Sequence, residues 1–331
     1  MIHANIPRLT PGACMERSQP PIQALSVSDE ISASPIQALS VSDGIRPRPT
    51  RSLSFRGMHT HHLALPDVRL AVHTRGRGRP MLFLHAFPLD HRMWSAQEPL
   101  AEHLRLIMPD QRGFGGSRSA GGPASIEQLA DDAVAILDAL HVDEPAIVCG
   151  CSMGGYVAQH VAIRHPARVR SLVLVDTKLE ADTPDARAAR VDLAAKVQRL
   201  GPEVVAAAMV PRLLATAPEA GSPPRRGEIE ALLHTMILEQ PVSTIVAALA
   251  ALATRPDMTE AMRACCVPTL LVVGGDDQIT PPACLARAEE IIPEARLLIV
   301  PHAGHMTPLE TPTVFNAAVL AFLREAAALD F

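Results

Sequence analysis

Apolar runs of strand length alternate with amphipathic stretches along most of this chain, and their order predicts an architecture. Residues 81–84, 104–108, 145–149, 171–175, 269–273 and 296–300 are short apolar runs bounded by Gly, Pro or polar residues, as buried strands are. Residues 61–66 and 68–74 predict a hairpin at the sheet edge, turning at Pro66-Asp67, with Arg75-Gly76-Arg77-Gly78 as the next turn. Between the second and third buried runs, Ser125-Ile126-Glu127-Gln128 reads as a capping box. The helix it opens carries Ile126, Leu129, Ala133, Ile136, Leu137 and Leu140 on one face. Strands and helices in this alternation imply an α/β class with a mostly parallel, doubly wound sheet.

The periodicity changes after Asp176. Residues 177–266 hold no convincing strand and are rich in alanine at helical spacing. Thr183-Pro184, Gly201-Pro202-Glu203 and Gly227-Glu228 mark three helix starts, and 244–254 is a fourth helix, apolar on most sides. An insertion after the sixth strand sits above the C-terminal strand tips. Residues 177–266 are therefore expected to form a helical cap over a core made of 58–176 and 267–331. The Pro- and Gly-containing stretch 217–224 is a candidate hinge, although a surface loop is the plainer reading.

Residues 1–57 read differently. The stretch 21–29, PIQALSVSD, recurs at 35–43, and an Arg-, Pro- and Ser-rich segment follows. Such composition cannot build a core, two copies are too few for a solenoid, and the apolar block of a secretory signal is missing. A transit peptide is a weaker alternative. A disordered or non-native extension ahead of Met58 is the expectation.

The chemistry gathers at Gly150-Cys151-Ser152-Met153-Gly154. An apolar strand precedes it and a stretch with helical spacing follows. A serine forced into a tight strand-to-helix turn needs small neighbours two residues either side, where larger side chains would collide. This is the form of a nucleophile elbow. A serine hydroxyl needs a base, and the base an orienting acid. Downstream, the run 270–273 ends in Gly274-Gly275 and presents Asp276 and Asp277 at its C-terminal tip, where open parallel sheets keep their ligands. The run 296–300 leads into a segment containing His302 and His305. The order Ser, Asp, His is the one expected of this elbow.

With these residues in place, the chain resembles the α/β-hydrolase fold family, in particular the group of 3-oxoadipate enol-lactonases, esterases and cofactor-free haloperoxidases. Four stretches carry the resemblance: His85-Ala86-Phe87-Pro88-Leu89 with Trp94, the segment 110–117 (DQRGFGGS), the elbow, and 304–310 (GHMTPLE). It spans roughly residues 60–323. It implies Ser152 as nucleophile, His305 as base and Asp277 as acid, because the family acid stands four residues before a proline, here Pro281. Asp276 then becomes a solvated neighbour, and Asp176 is a rival acid position used by some hydrolases of this fold. The resemblance also implies an oxyanion hole from the backbone N–H groups of Met153 and Phe87. The family usually writes His-Gly where this chain has His85-Ala86. His85 is expected to fix its loop rather than act as a second base.

The cap supplies the substrate expectation. It contains no Phe, Trp or Tyr, and its apolar faces are Ala, Val, Leu and Met. A small aliphatic ester or lactone is expected, with Trp94, Met209, Leu213 and Met236 lining the pocket. Arg187, Arg190, Arg212 and Arg255 are candidates for gripping a substrate carboxylate, each more simply a solvated or pairing charge. Together these residues and the resemblance imply a serine hydrolase working through an acyl-serine intermediate. A perhydrolase or haloperoxidase and a carbon–carbon bond hydrolase are alternatives on the same triad, and a ligand receptor is the alternative outside catalysis.

Composition narrows the partners. The chain has 331 residues, 48% hydrophobic and 20% charged, with a net charge of −5 and no basic stripe suited to nucleic acid. No apolar run reaches the roughly 18 residues of a membrane span. The six cysteines lack zinc-ligand spacing, so no metal or cofactor is expected, and free thiols in the cytoplasm are. Cys151 is expected to point away from the site. A chain starting at Met58 should fold and work like the full chain, and limited proteolysis should cut first within residues 1–57. Protection of that region, or a large fall in melting temperature on its deletion, would contradict this reading.

Overall fold

A computed structural model describes residues 57–117, 122–216 and 226–326. The extension, apart from Gly57, and the 217–224 loop lie outside the described residues. The strands are β1 (His59–Leu65), β2 (Val68–Arg75), β3 (Arg79–Leu84), β4 (Leu104–Pro109), β5 (Ala146–Cys151), β6 (Val169–Val175), β7 (Thr269–Gly274) and β8 (Arg296–Val300). They form one sheet in the order β1-β2-β4-β3-β5-β6-β7-β8. Strands β3 to β8 are parallel, and β1 and β2 join antiparallel at one edge. The hairpin turns at Pro66-Asp67, with Leu65 facing Val68. Every residue of β5 and of β7 is buried, which is why these strands read as continuous apolar runs rather than alternating ones.

Two of the sheet's helices are α1 (Ile126–Ala139) and α2 (Met153–Arg164). Ser125 caps α1 by accepting the Gln128 N–H at 3.2 Å, while the Gln128 amide oxygen accepts the N–H of Ala124 rather than that of the cap residue. Between β6 and β7 lie α3 (Pro184–Leu200), α4 (Glu203–Leu213), α5 (Arg226–Leu238), α6 (Val242–Thr254) and the short α7 (Thr259–Arg263). The insertion is helical as expected, but α7 packs on α2 and on α8 (Pro282–Ile291), two helices of the core. After β8 come α9 (Thr307–Glu310) and α10 (Pro312–Glu325). Periodicity did not bring out α10 or the 3-10 segment His91–Glu102, which carries an internal proline. Among the described residues no single helix is long and apolar enough to cross a membrane.

Sheet order places the site. From β3 the chain leaves towards β4 on one side, while from β5 it leaves towards β6 on the other. Neighbouring strands whose connections diverge open a crevice beyond their carboxyl ends. Leu84 and Gly150, the ends of β3 and β5, are register partners, so the loop after β3 and the elbow after β5 flank this crevice.

At the base of the insertion, Arg255 is 3% exposed and donates to Asp182 at 2.7 Å. It also donates to the carbonyls of Leu252 and Glu180, and lies 4.1 Å above the ring centre of Tyr156. Arg190 shares the Asp182 carboxylate at 2.5 Å. These two arginines are structural, since removing one side of so buried a pair strands the other charge. Arg187 and Arg212 are exposed, and Arg212 reaches the Gln278 carbonyl at 3.4 Å. The thiols of Cys149, Cys151, Cys265 and Cys284 are free. Cys266 is disulfide-bonded, against the expectation of free thiols throughout.

The elbow sets a sharp packing requirement. A Cβ on Gly154 would collide with the backbone oxygen of Leu84, whereas one on Gly227 in α5 would meet nothing within 4 Å. Gly154→Ala is expected to destabilise the protein by about 3 kcal/mol, at the upper end for overpacking against immovable backbone. Gly227→Ala should be neutral or stabilising by up to about 1 kcal/mol. Urea unfolding of the two variants checks this, and equal midpoints would contradict it.

Candidate active site

Ser152 sits between the last residue of β5 and the first of α2 with φ 51° and ψ −112°, a backbone state that L-residues rarely adopt. The surroundings hold it there. Its N–H donates to the Val175 carbonyl at 2.9 Å, and its own carbonyl accepts the Thr177 hydroxyl at 3.0 Å. Gly150 and Gly154 are obligatory, because a Cβ on the first would strike the Gly154 backbone and one on the second the Leu84 backbone. The reversal leaves Ser152 partly exposed while Cys151 is fully buried. Burial, then the nearby Asp176 carboxylate, pushes the Cys151 thiol well above its ordinary range, so it stays protonated and inert.

Three side chains from three loops meet in series. His305 Nε2 lies 2.9 Å from Ser152 Oγ, and His305 Nδ1 lies 2.8 Å from Asp277 Oδ2. Asp277 is fixed by the N–H groups of Ile279 at 2.7 Å and Thr280 at 3.0 Å, and by the Thr280 hydroxyl at 2.8 Å. Burial opposes ionisation of Asp277, but His305 and these donors outweigh it and hold the carboxyl below its usual range. Burial likewise opposes the imidazolium of His305. The charges of Asp277, Asp176 and Glu310 win, and its pKa is raised above 6.5. Asp276 and His302 are exposed and take no part in this series.

Asp176, the rival acid, is buried at the tip of β6 but turned to other partners. It accepts the Gly274 N–H at 3.0 Å, the Thr307 N–H at 3.0 Å and the Thr307 hydroxyl at 2.9 Å. Burial and the charge of Asp277 push its pKa up to about 7. It ties the end of β7 to the segment behind His305, and Asp277 alone of the two bonds the imidazole.

The loop after β3 faces the elbow. The Gln111 N–H donates to His85 Nε2 at 2.9 Å, so His85 carries its proton on Nδ1 and donates it to the Ala86 carbonyl at 3.0 Å. Burial lowers its pKa, which keeps the ring neutral. His85 is thus a loop-fixing residue. Ala86 is not at positive φ, so alanine in place of the family glycine imposes no strain. Among the described residues the N–H groups of Phe87 and Met153 find no acceptor. These are the donors that a developing oxyanion would require.

The expected pocket residues separate. Trp94 is 1% exposed, with its ring 4.9 Å from that of Phe83 and 6.5 Å from that of Phe315. The 3-10 segment turns it onto β3 and α10, where it packs among core side chains. Leu213 ends α4 with its carbonyl accepting the His305 N–H at 2.9 Å. Met236 is fully buried on α5, and Met209 is part-buried on α4.

One trio has the composition of a metal site. Donor atoms of His73, His91 and Asp110 lie within 4.8 Å of one another. The two imidazoles, however, are stacked with centroids 3.5 Å apart and planes 17° from parallel. An ion in the plane of one ring would sit against the face of the other, so this arrangement cannot ligate through both. Asp110 serves backbone instead. It accepts from the His91 N–H at 2.9 Å, His91 Nδ1 at 2.6 Å and the Gly116 N–H at 2.7 Å, knitting the loops after β3 and β4. Sequence reading did not single out this trio, nor the tie between the insertion and the His305 loop, since both join distant segments.

Comparison with known proteins places this geometry. Residues 79–312 match the model of the alpha/beta hydrolase fold family. The chain is 29% identical over 270 residues to 3-oxoadipate enol-lactonase 2 of Acinetobacter baylyi, covering 79% of this chain and 96% of that one. It is 32% identical over 242 residues to a pimeloyl-(acyl-carrier protein) methyl ester esterase of Chromobacterium violaceum, covering 72% and 91%. A solved structure of a thermophilic esterase from Thermogutta terrifontis is similar with a TM-score of 0.75 and 36% identity, over 81% of this chain and 98% of that one. With most of its length matched, and the elbow at the carboxyl ends of a mostly parallel sheet, this chain belongs to the alpha/beta hydrolase fold family.

Proposed function

We propose that this protein is a serine hydrolase of esterase or lactonase type, acting on a small carboxylic ester or lactone. One observation carries the reading: the 2.9 Å and 2.8 Å links that join Ser152, His305 and Asp277 in series. In the first half-reaction Ser152 Oγ bonds to the substrate carbonyl carbon while its proton passes to His305 Nε2. The carbonyl oxygen becomes an oxyanion facing the N–H groups of Met153 and Phe87. Collapse breaks the bond to the alcohol oxygen, which takes the proton from His305 and leaves an acyl-serine. In a lactone that alcohol stays tethered to the acyl group. Water then bonds to the acyl carbon as His305 accepts its proton, and Ser152 leaves with that proton restored. Asp277 holds the imidazole in the tautomer with hydrogen on Nδ1 and stabilises the transient cation.

A small aliphatic acyl group suits the aromatic-free insertion, with Met209, Leu213 and Met236 as its apolar side. The esterase and lactonase names among the relatives support the same substrate class.

Ser152→Ala is expected to lower kcat by roughly four orders of magnitude or more on a short p-nitrophenyl ester, and to abolish fluorophosphonate labelling. Wild-type turnover in that variant would sink the mechanism. Asp277→Asn should cost about 10⁴-fold by presenting the wrong tautomer, while Asp276→Asn stays near wild type. The reverse ranking would move the acid. Since only neutral imidazole accepts the serine proton, kcat/KM should fall as pH drops through a value above about 6.5, the ordinary histidine figure. A pH profile whose acid limb lies below that figure contradicts the charge balance around His305.

A further inference from the structure

The insertion does not merely lie over the strand tips; one end of it is built into the loop that carries His305. The His305 N–H donates to the Leu213 carbonyl at 2.9 Å. The two backbones touch at Gly304, where a Cβ would stand 2.5 Å from the Ala215 nitrogen and 2.6 Å from the Leu214 carbonyl carbon. A single carboxylate then spans the junction. Glu310 Oε2 accepts the Ala215 N–H at 2.7 Å. Glu310 Oε1 accepts the Gly304 N–H at 2.8 Å and, more weakly, the Met306 N–H at 3.4 Å, the residues on either side of His305. On the far side of Ala215, its carbonyl accepts from the Arg226 guanidinium at the start of α5.

We infer that Glu310 is a positioning residue that fastens residues 213–215 of the insertion to the His305 loop, so that the place of the imidazole over Ser152 depends on the insertion. The inference rests on His305 being the base. A carboxylate is needed here because both of its ends face N–H donors. Glutamine would keep the size but turn an NH2 group towards Ala215 or towards Gly304, setting donor against donor. Burial raises the Glu310 pKa, while its three amide donors and Arg226 pull it back. The charged groups facing His305 are Asp277 from the loop after β7, Asp176 from the tip of β6 and Glu310 from α9; Arg226 from α5 faces Glu310. Removing the Glu310 charge therefore weakens proton binding at His305.

The experiment is Glu310→Gln in the full chain, read by hydrogen–deuterium exchange and by kinetics on a short p-nitrophenyl ester. Exchange is expected to quicken in peptides covering 210–216 and 302–311 together. Displacement of the imidazole is expected to lower kcat roughly ten- to a hundredfold, and the acid limb of kcat/KM should move to lower pH. A filler role would leave that limb in place. Wild-type exchange in both peptides, or wild-type kcat with an unmoved acid limb, overturns the proposal. Arg226→Gln is the second variant, at the part-exposed start of α5. It removes one donor to Ala215 and should quicken exchange in 210–216 more than in 302–311. No change there would also overturn the tie. If the wild type neither hydrolyses esters nor takes a fluorophosphonate, while E310Q loosens both peptides, the tie stands and the hydrolase reading falls.

Discussion

Backbone of α2 approaches the ends of β3 and β5 so closely that no side-chain carbon fits at Gly150 or Gly154. Most of the site's arrangement follows from that contact. It forces Ser152 into positive φ, lifts its hydroxyl out of the sheet and leaves the Met153 N–H without a helical acceptor. It also brings the elbow against the loop after β3, which supplies the Phe87 N–H. Under the proposed mechanism, backbone donors held this way would need no reorganisation when charge develops in front of them. The strain at Ser152 is held in place by the Val175 carbonyl and Thr177 hydroxyl, both from the neighbouring strand and its tip.

Around this turn the protein gathers carboxylates and gives each a set of donors. Asp277 holds the imidazole, Asp176 holds the segment behind it, Glu310 holds the insertion, and Asp110 knits the loops after β3 and β4. Buried charge is tolerated only where hydrogen bonds replace water, and backbone N–H groups do much of that work here. Three of these groups act on His305 at once, which is why burial does not depress its pKa as it does that of His85. Two buried histidines thus shift in opposite directions: burial keeps His85 neutral as a brace, while the carboxylates around His305 outweigh burial and hold its pKa above the ordinary value.

The insertion is anchored at more than one corner. Gln240 accepts the Gly115 N–H at 2.9 Å, and Thr244 donates to the Gly113 carbonyl at 3.1 Å, joining the start of α6 to the loop after β4. Arg92 bridges Asp90 and Glu239, and Arg255 with Asp182 locks the base. The segment 213–215 adds a contact directly to the backbone of His305. Over the described residues the insertion is thus tied to the core at several separate places.

Much of this was legible in the order of residues. Gly150 and Gly154 around Ser152 announce a turn whose sterics admit nothing larger, and a strand with a helix behind it tells where that turn sits. Continuous apolar runs name the buried parallel strands because both of their faces are covered, and the shift to alanine-rich helical spacing marks the insertion. Tertiary structure decided what depends on partners distant in sequence. Asp176 and Asp277 are both acids at strand tips; the spacing to Pro281 favours Asp277, and the fold shows the His305 imidazole bonded to it and not to Asp176. Trp94 reads in sequence as a pocket residue, and only the fold shows its ring packed against Phe83 of β3 and Phe315 of α10. His73, His91 and Asp110 have the makings of a metal site until their rings are seen to stack. The Glu310 carboxylate, 95 positions from the Ala215 N–H that it accepts, acquires its role from the sheet that brings them together. Local backbone sterics are written in neighbouring residues and can be read there. Hydrogen bonds across the fold belong to residues whose proximity the fold itself creates.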